Sequence, residues 1–180
     1  MVHKLLIIGC LCISGHLAAQ TEQAKPKPTP KNITIPSLRQ PYKQIGADMP
    51  PVLVTTTNGK TITNNDLHTG ANLFIMTFNP TCSHCVDETV MLVKNIALFN
   101  KTKILMVTSE LNRSTLPDFE RTQHLDQYKT FMSGLDSSHY VDNTFVYQSL
   151  PQINIYDKKH KLIKFFNGDV PIDSLKPYIQ

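Results

Sequence analysis

The sequence predicts an α/β domain with a central mixed β-sheet flanked by helices. Two nearly continuous apolar segments, 72–78 and 103–108, lie on either side of a stretch with helical periodicity. Unbroken apolar runs are typical of strands buried on both faces, and this spacing indicates a right-handed parallel βαβ unit. Antiparallel hairpin patterns precede and follow the unit, so we expect both parallel and antiparallel strands.

The individual elements follow in chain order from turn residues and apolar spacing. Asn58-Gly59, between two short β-branched segments, is typical of a two-residue hairpin turn. Thr115 precedes a helix with capping-box spacing and an early proline. The predicted elements are a hairpin over 52–63, a helix over 82–99, a helix over 115–132, a hairpin over 152–166 and a closing helix over 171–179.

Residues 1–19 have the pattern of a secretory signal peptide. A short basic start is followed by an apolar run at 5–13 and by the small residues Ala18 and Ala19. The run is shorter than the roughly 20 apolar residues of a membrane-spanning helix. We therefore expect secretion with cleavage after Ala19, and the alternative is an uncleaved segment that tethers the domain to the membrane.

Residues 20–45 have the composition of a linker, and residues 46–180 that of a folded domain. Seven of the 12 prolines fall between Pro26 and Pro51. Such stretches favour an extended polyproline conformation that buries no core. The net charge of +4 belongs to the signal and the linker, because residues 47–180 contain 12 basic and 13 acidic side chains. We therefore expect no nucleic-acid partner.

The cysteines outside the predicted signal, Cys82 and Cys85, are separated by two residues. A disulfide between them closes almost no loop, so a structural staple is not favoured. A zinc site needs further Cys or His ligands at close spacing, whereas the histidines are scattered singly. We expect no metal site, and we interpret the pair as a redox-active disulfide that needs no other cofactor.

The cysteine pair lies where the first buried strand passes into its helix. Unpaired backbone N–H groups and the helix dipole favour thiolate over thiol there. We therefore assign Cys82 as the attacking thiol and Cys85, almost one turn deeper, as the resolving thiol. A protonated His84 stabilises the thiolate further. Glu88, on the same helical face as Cys85, is either a proton donor and acceptor for Cys85 or an ordinary solvated acid.

Taken together, these motifs resemble the TlpA-like periplasmic disulfide oxidoreductases of the thioredoxin fold. The resemblance covers about residues 46–180 and includes Cys82-Ser83-His84-Cys85, Leu150-Pro151 and the early Asn58-Gly59 turn. It implies a thioredoxin-like fold with an extra N-terminal β-hairpin and a cis peptide bond before Pro151. It also implies that Pro151 faces the cysteines, that the backbone of Leu150 pairs with a substrate chain, and that Glu88 is an active-site glutamate.

Three positions depart from the pattern of these relatives. Thr81, which we place among the substrate contacts, stands where the family often has Trp. Met76 stands where cytoplasmic thioredoxins carry a buried Asp, so Glu88 is expected to substitute for that proton relay. His84 stands where relatives often have Pro, and it resembles the disulfide-donating oxidases. The family therefore indicates a reductase, whereas the dipeptide between the cysteines favours an oxidant.

The sequence thus predicts a monomeric thiol–disulfide oxidoreductase of the periplasm. Its expected partners are protein thiols or disulfides and a membrane-bound electron donor or acceptor that recycles the pair. The alternatives on the same fold are a thiol peroxidase and a copper carrier. The peroxidase is disfavoured because Asn79 stands where peroxiredoxins have Thr, and the copper carrier because such proteins space their cysteines more widely. A redox-inert binding module is a further alternative.

Overall fold

A computed structural model describes residues 41–139 and 148–180. Within them, one mixed sheet contains seven strands in the order β2-β1-β5-β4-β3-β6-β7. The strands are β1 Leu53–Thr55, β2 Thr61–Thr63, β3 Leu73–Thr77, β4 Lys103–Ser109, β5 Phe131–Asp136, β6 Gln152–Tyr156 and β7 Leu162–Asn167. The α-helices are α1 Ser83–Lys94, α2 Leu116–Thr122 and α3 Ile172–Leu175. The predicted α/β class with a mixed sheet is confirmed.

The centre of the sheet is the predicted parallel unit. β3 pairs in parallel with β4, and β4 pairs in parallel with β5. All five side chains of β3 are buried, which explains its unbroken apolar sequence. Helix α1 joins β3 to β4, so the start of α1 lies at the carboxyl end of the central strand.

Antiparallel strands extend both sides of this centre. β6 pairs with β3 and with β7, and β1 pairs with β2 and with β5. The turn between β6 and β7 is held by the Asp157 carboxylate, which accepts from the backbone N–H groups of Lys159 and Lys161 at 2.8 and 2.9 Å. His160 completes this turn with a left-handed φ of 58°.

Two predicted helices were too long. α1 ends at Lys94, where the Asn95 side chain donates to the carbonyl of Met91 at 2.9 Å, and a 3₁₀ turn over Ile96–Phe99 follows. The helix predicted over 115–132 was wrong beyond Thr122, because His124 has a left-handed φ of 54° and the chain then enters β5. The closing helix comprises α3 and a 3₁₀ turn over Lys176–Tyr178.

Each face of the sheet carries its own apolar core. Alternate residues of β3 contribute to the two faces, since Phe74 and Met76 belong to one core and Leu73 and Ile75 to the other. The first core includes side chains of each of the three α-helices within the described residues, namely Cys85, Leu92, Leu116, Phe119 and Leu175. The second is closed by residues of the N-terminal part of the domain, namely Met49, Val52, Val54, Ile62 and Leu67.

The predicted signal over 1–19 and most of the predicted linker lie outside the described residues. Tyr42, within the predicted linker, packs against the second core. In the part of the chain that the structure describes, no helix has both the length and the apolar character needed to cross a bilayer.

Candidate active site

The two cysteines occupy the first turn of α1, and both are free thiols. Cys82 is the N-cap residue with extended backbone angles, and its carbonyl accepts from the N–H of Val86 at 3.0 Å. Cys82 is partly exposed, whereas Cys85 is fully buried in the first core. The structure therefore presents one sulfur to solvent and keeps the other behind it.

Burial raises the pKa of the Cys85 thiol to about 12. A hydrogen bond with the backbone of Asn79 acts in the opposite direction, whereas the hydrogen bond and the charge of Cys82 and the charge of Asp169 add to the rise. Cys85 thus holds its proton at neutral pH. A base must take that proton before the Cys85 sulfur can act as a nucleophile.

A side-chain turn leads from β3 into the helix. The Asn79 side-chain oxygen accepts from both the backbone N–H and the hydroxyl of Thr81, each at 2.9 Å. The Asn79 carbonyl accepts from the N–H of Cys82 at 3.1 Å. Thr81 is exposed next to Cys82, so its surface is accessible to a partner.

Glu88 is a buried carboxyl group, with only 3% of its surface exposed. One carboxyl oxygen accepts from the backbone N–H of Val170 at 2.9 Å, and the other has no hydrogen-bond partner. Burial raises the pKa of Glu88 to about 7; the Val170 N–H opposes this rise and the Asp169 charge adds to it. A carboxyl group that titrates near neutral pH can both take and return a proton.

The peptide bond between Leu150 and Pro151 is cis, as predicted. Gln152, the next residue, is paired with Thr77, so Pro151 lies at the end of β3 that leads to the cysteines. Leu150 packs against the same apolar core as Cys82 and Cys85. The Pro151 carbonyl accepts from the N–H of Gly168 at 2.8 Å.

His84 contacts a residue that the sequence did not single out. Its Nδ1 lies 2.8 Å from an oxygen of the Asp169 carboxylate, and both side chains are largely exposed. Asp169 follows β7 at the end of the sheet where α1 begins. A sequence signal existed, because an acidic residue beside Gly168 follows the last strand of the predicted hairpin, but the contact spans 85 residues.

Two cavities differ in their relation to the cysteines. A cleft of about 320 Å³ lies beside Cys82, between the start of α1 and helix α2. Its lining comprises Pro80, Thr81, Val86, Thr115, Asp118, Phe119, Thr122 and Gln123. A larger cleft of about 720 Å³ lies between the β1–β2 turn and α2. Neither cysteine and no residue of α1 lines it. Within 41–139 and 148–180, no three side chains form a metal-binding group.

Comparison with solved structures identifies the fold. The chain superimposes on the thioredoxin domain of a thiol-disulfide oxidoreductase from Bacteroides vulgatus with a TM-score of 0.60 and 18% identity, covering 74% of this chain and 94% of that one. For a thiol:disulfide interchange protein, DsbE, from Chlorobium tepidum the TM-score is 0.61, the identity 16% and the coverages 75% and 94%. For StoA from Bacillus subtilis the TM-score is 0.57, the identity 19% and the coverages 72% and 96%.

These likenesses establish that the chain has a thioredoxin-like fold. No family model and no curated protein matches it. The activity of this chain therefore has to be argued from its own site.

Proposed function

We propose that the protein is a thiol–disulfide oxidoreductase acting on protein substrates through Cys82 and Cys85. The observation that carries the proposal is the arrangement of the pair: a partly exposed sulfur at the N-cap of α1 and a buried sulfur one turn behind it. An exposed thiol at a helix N-terminus is placed to attack, and a shielded neighbour is placed to resolve.

In the reductive direction, the Cys82 thiolate attacks one sulfur of a substrate disulfide. The substrate S–S bond breaks, a mixed disulfide forms, and the departing substrate thiolate takes a proton. Cys85 then gives up its proton and attacks the Cys82 sulfur, which releases the second substrate thiolate. Two electrons pass to the substrate, and the Cys82–Cys85 disulfide remains; the reverse sequence oxidises a substrate dithiol.

Glu88 is the group we propose to handle the Cys85 proton. It lies three residues after Cys85, and both side chains are buried on the same face of α1. Its pKa of about 7 means that part of the population is ionised at neutral pH and can accept a proton. Met76, which stands in the strand before the motif, has no proton to offer.

The substrate chain is proposed to lie across the cysteine end of the sheet. Cys82 and Leu150 both pack against the first core, and the cleft lined by Thr81, Val86 and Phe119 begins at the residue before Cys82. An extended segment in this position exposes its disulfide to Cys82 while its backbone pairs at Leu150. The apolar floor of the cleft favours an apolar side chain next to the substrate cysteine.

The site of action is proposed to be the periplasm, reached by the predicted signal over 1–19. There the pair is recycled by a membrane-bound electron donor or acceptor, and the protein acts as a monomer. Supporting observations are the sequence pattern of the signal and the described solved structures, which include interchange proteins of similar fold.

The test uses the full chain with Cys10 and Cys12 replaced by serine, so that only Cys82 and Cys85 react. Reduction of insulin disulfides by dithiothreitol is followed with and without the protein. We expect Cys82→Ser to lower the catalysed rate at least about 100-fold, because the attacking sulfur is absent. Cys85→Ser is expected to accumulate a mixed disulfide, visible by mass spectrometry.

The parent chain, which keeps Cys10 and Cys12, is the control for their replacement by serine. The proposal is contradicted if the Cys82→Ser and Cys85→Ser variants both reduce insulin as fast as the Cys10→Ser/Cys12→Ser chain from which they are made. Peroxide consumption with the same thiol supply, in place of disulfide reduction, indicates the peroxidase instead.

A further inference from the structure

Three consecutive residues after β7 each contact a different part of the cysteine site. The N–H of Gly168 donates to the carbonyl of Pro151 at 2.8 Å, and the N–H of Val170 donates to Glu88 at 2.9 Å. Between them, the Asp169 carboxylate lies 2.8 Å from Nδ1 of His84. Gly168 has a left-handed φ of 75°, which turns the chain so that neighbouring groups face different partners. We call residues 168–170 the clip.

Asp169 brings a negative charge to the thiols. That charge contributes to the raised pKa of Cys85 and of Glu88, which places it within electrostatic reach of both groups. His84, between the cysteines, carries the opposite charge when protonated. The clip therefore places the two charges next to each other at the mouth of the site.

We propose that Asp169 is a positioning residue that offsets the charge of His84 and thereby keeps the Cys82–Cys85 couple reducing. This inference rests on the proposed function and deepens it. It also accounts for a conflict within the sequence, where the family resemblance indicates a reductase and the Ser-His dipeptide favours an oxidant.

The physical reason lies in the charge of the two redox forms. The disulfide is neutral, whereas a thiol of the reduced pair becomes negative when it ionises, so a nearby positive charge stabilises the reduced form and makes the couple more oxidising. A nearby negative charge does the reverse. With His84 and Asp169 in contact, the two fields largely cancel at the sulfurs, and the histidine loses most of its effect.

The titratable side chains of α1 that interact with the clip are His84, Cys85 and Glu88. Among the described residues of the proline loop, 148–151, there is no titratable side chain. On the other side, α3 contributes Asp173, whose carboxylate pairs with Lys176 at 2.7 Å. Asp169→Asn therefore removes one negative charge, and the titratable groups around that charge are known.

The experiment measures the equilibrium of the full chain, in the Cys10→Ser/Cys12→Ser background, with glutathione. In this reaction the protein dithiol and oxidised glutathione give the protein disulfide and two reduced glutathione molecules. The measurement is made at pH 7.0 in the same buffer for every chain. The variants are Asp169→Asn, His84→Gln and their combination, with Asp173→Asn as a control for the loss of one exposed carboxylate.

We expect Asp169→Asn to shift the equilibrium about three- to fivefold toward the reduced protein, in line with the strength of exposed ion pairs. His84→Gln is expected to shift it by a similar factor toward the disulfide, because the carboxylate then acts alone. The double variant is expected to return within about twofold of the parent, because both charges are gone. Asp173→Asn is expected to leave the constant unchanged.

An Asp169→Asn chain with an unchanged constant, or one shifted toward the disulfide, overturns the inference. If Asp169→Asn does not fold, His84→Gln decides, since its side chain is exposed and the absence of a shift toward the disulfide is equally contradictory. If Asp169 has only a structural role, Asp169→Asn shifts the unfolding transition and leaves the equilibrium constant with glutathione unchanged. Failure of the proposed function is distinct, because the parent chain then reduces no insulin.

Discussion

At the scale of single residues, Glu88 makes the stability of the protein depend on pH. Its pKa is about 7 in the folded state, against 4.5 for an unperturbed glutamate. The folded protein therefore binds more protons than the unfolded chain between these values, so the free energy of unfolding falls as pH rises from about 4.5 to 7. Above pH 7 the ionised, buried Glu88 carboxylate lowers the free energy of unfolding by about 3 kcal/mol.

Replacement of Glu88 by Gln is expected to remove this pH dependence. The amide oxygen can still accept from the Val170 N–H, and no charge is buried at high pH. Relative to the parent, Glu88→Gln should gain up to about 3 kcal/mol between pH 5 and pH 8 in urea unfolding. Asp87→Asn, an exposed neighbour on the same turn, is the matched control. An equal difference between variant and parent at both pH values contradicts this account.

The positions of residues along α1 are predictable because the local sequence carries the information. The separation of Cys82 and Cys85 and the position of Glu88 follow from helical geometry along one short segment. The contact of Asp169 with His84 does not follow in this way, because it depends on how two distant segments meet at the end of the sheet. Sequence patterns describe faces and turns, whereas such contacts require the fold.

At the scale of elements, Gly134 in β5 determines how closely β1 approaches. A Cβ atom at this position meets Val54 Cγ1 at 2.5 Å and the backbone oxygen of Thr55 at 2.7 Å. Gly134→Ala therefore forces β1 away from β5, and we expect a loss of about 1–3 kcal/mol in the free energy of unfolding. Urea unfolding measures this loss.

Gly134→Ala also tests whether the edge of the sheet affects the cysteine site. β1 and β2 lie at one end of the strand order, with β5 and β4 between them and β3. The equilibrium of Gly134→Ala with glutathione is therefore expected to match that of the parent. Unchanged stability in this variant means that β1 and β5 do not pack as closely as described.

β5 also shows why some elements escaped prediction. Its sequence, Phe131 to Asp136, contains Gly134 and no β-branched residue, so neither strand propensity nor alternation marks it. Its burial in the sheet comes from pairing with β4 along six residue pairs, which is tertiary information. The apolar spacing before it instead predicts a continuation of α2, which ends at Thr122.

At the scale of the whole molecule, the order of the elements determined the fold class more firmly than any single element. A buried strand, a helix and a second buried strand, followed by a late hairpin, allow few arrangements once the crossover is right-handed. That is why the mixed sheet was predicted although the second helix was too long and β5 was missed. The carboxyl end of β3 then places Cys82 at the surface.

The direction of electron flow has a consequence for the stability of the whole chain. Folding and reduction form a thermodynamic cycle, so a fold that favours the disulfide makes the couple reducing and makes the oxidised protein the more stable form. A strong oxidant shows the opposite order, since its reduced form is stabilised. With Asp169 offsetting His84, we expect the oxidised form to resist urea better than the reduced form.

The difference in unfolding free energy between the oxidised and reduced forms is expected to depend on Asp169 of the clip. A shift of about threefold in the glutathione equilibrium toward the reduced protein corresponds to about 0.7 kcal/mol, because tenfold corresponds to about 1.4 kcal/mol. Asp169→Asn should therefore narrow the gap in unfolding free energy between the oxidised and reduced forms by about this amount, while Asp173→Asn leaves the gap unchanged. Urea unfolding of both redox forms of each variant measures it. A reduced parent that is more stable than the oxidised parent indicates a disulfide donor, and the reductive direction is then wrong.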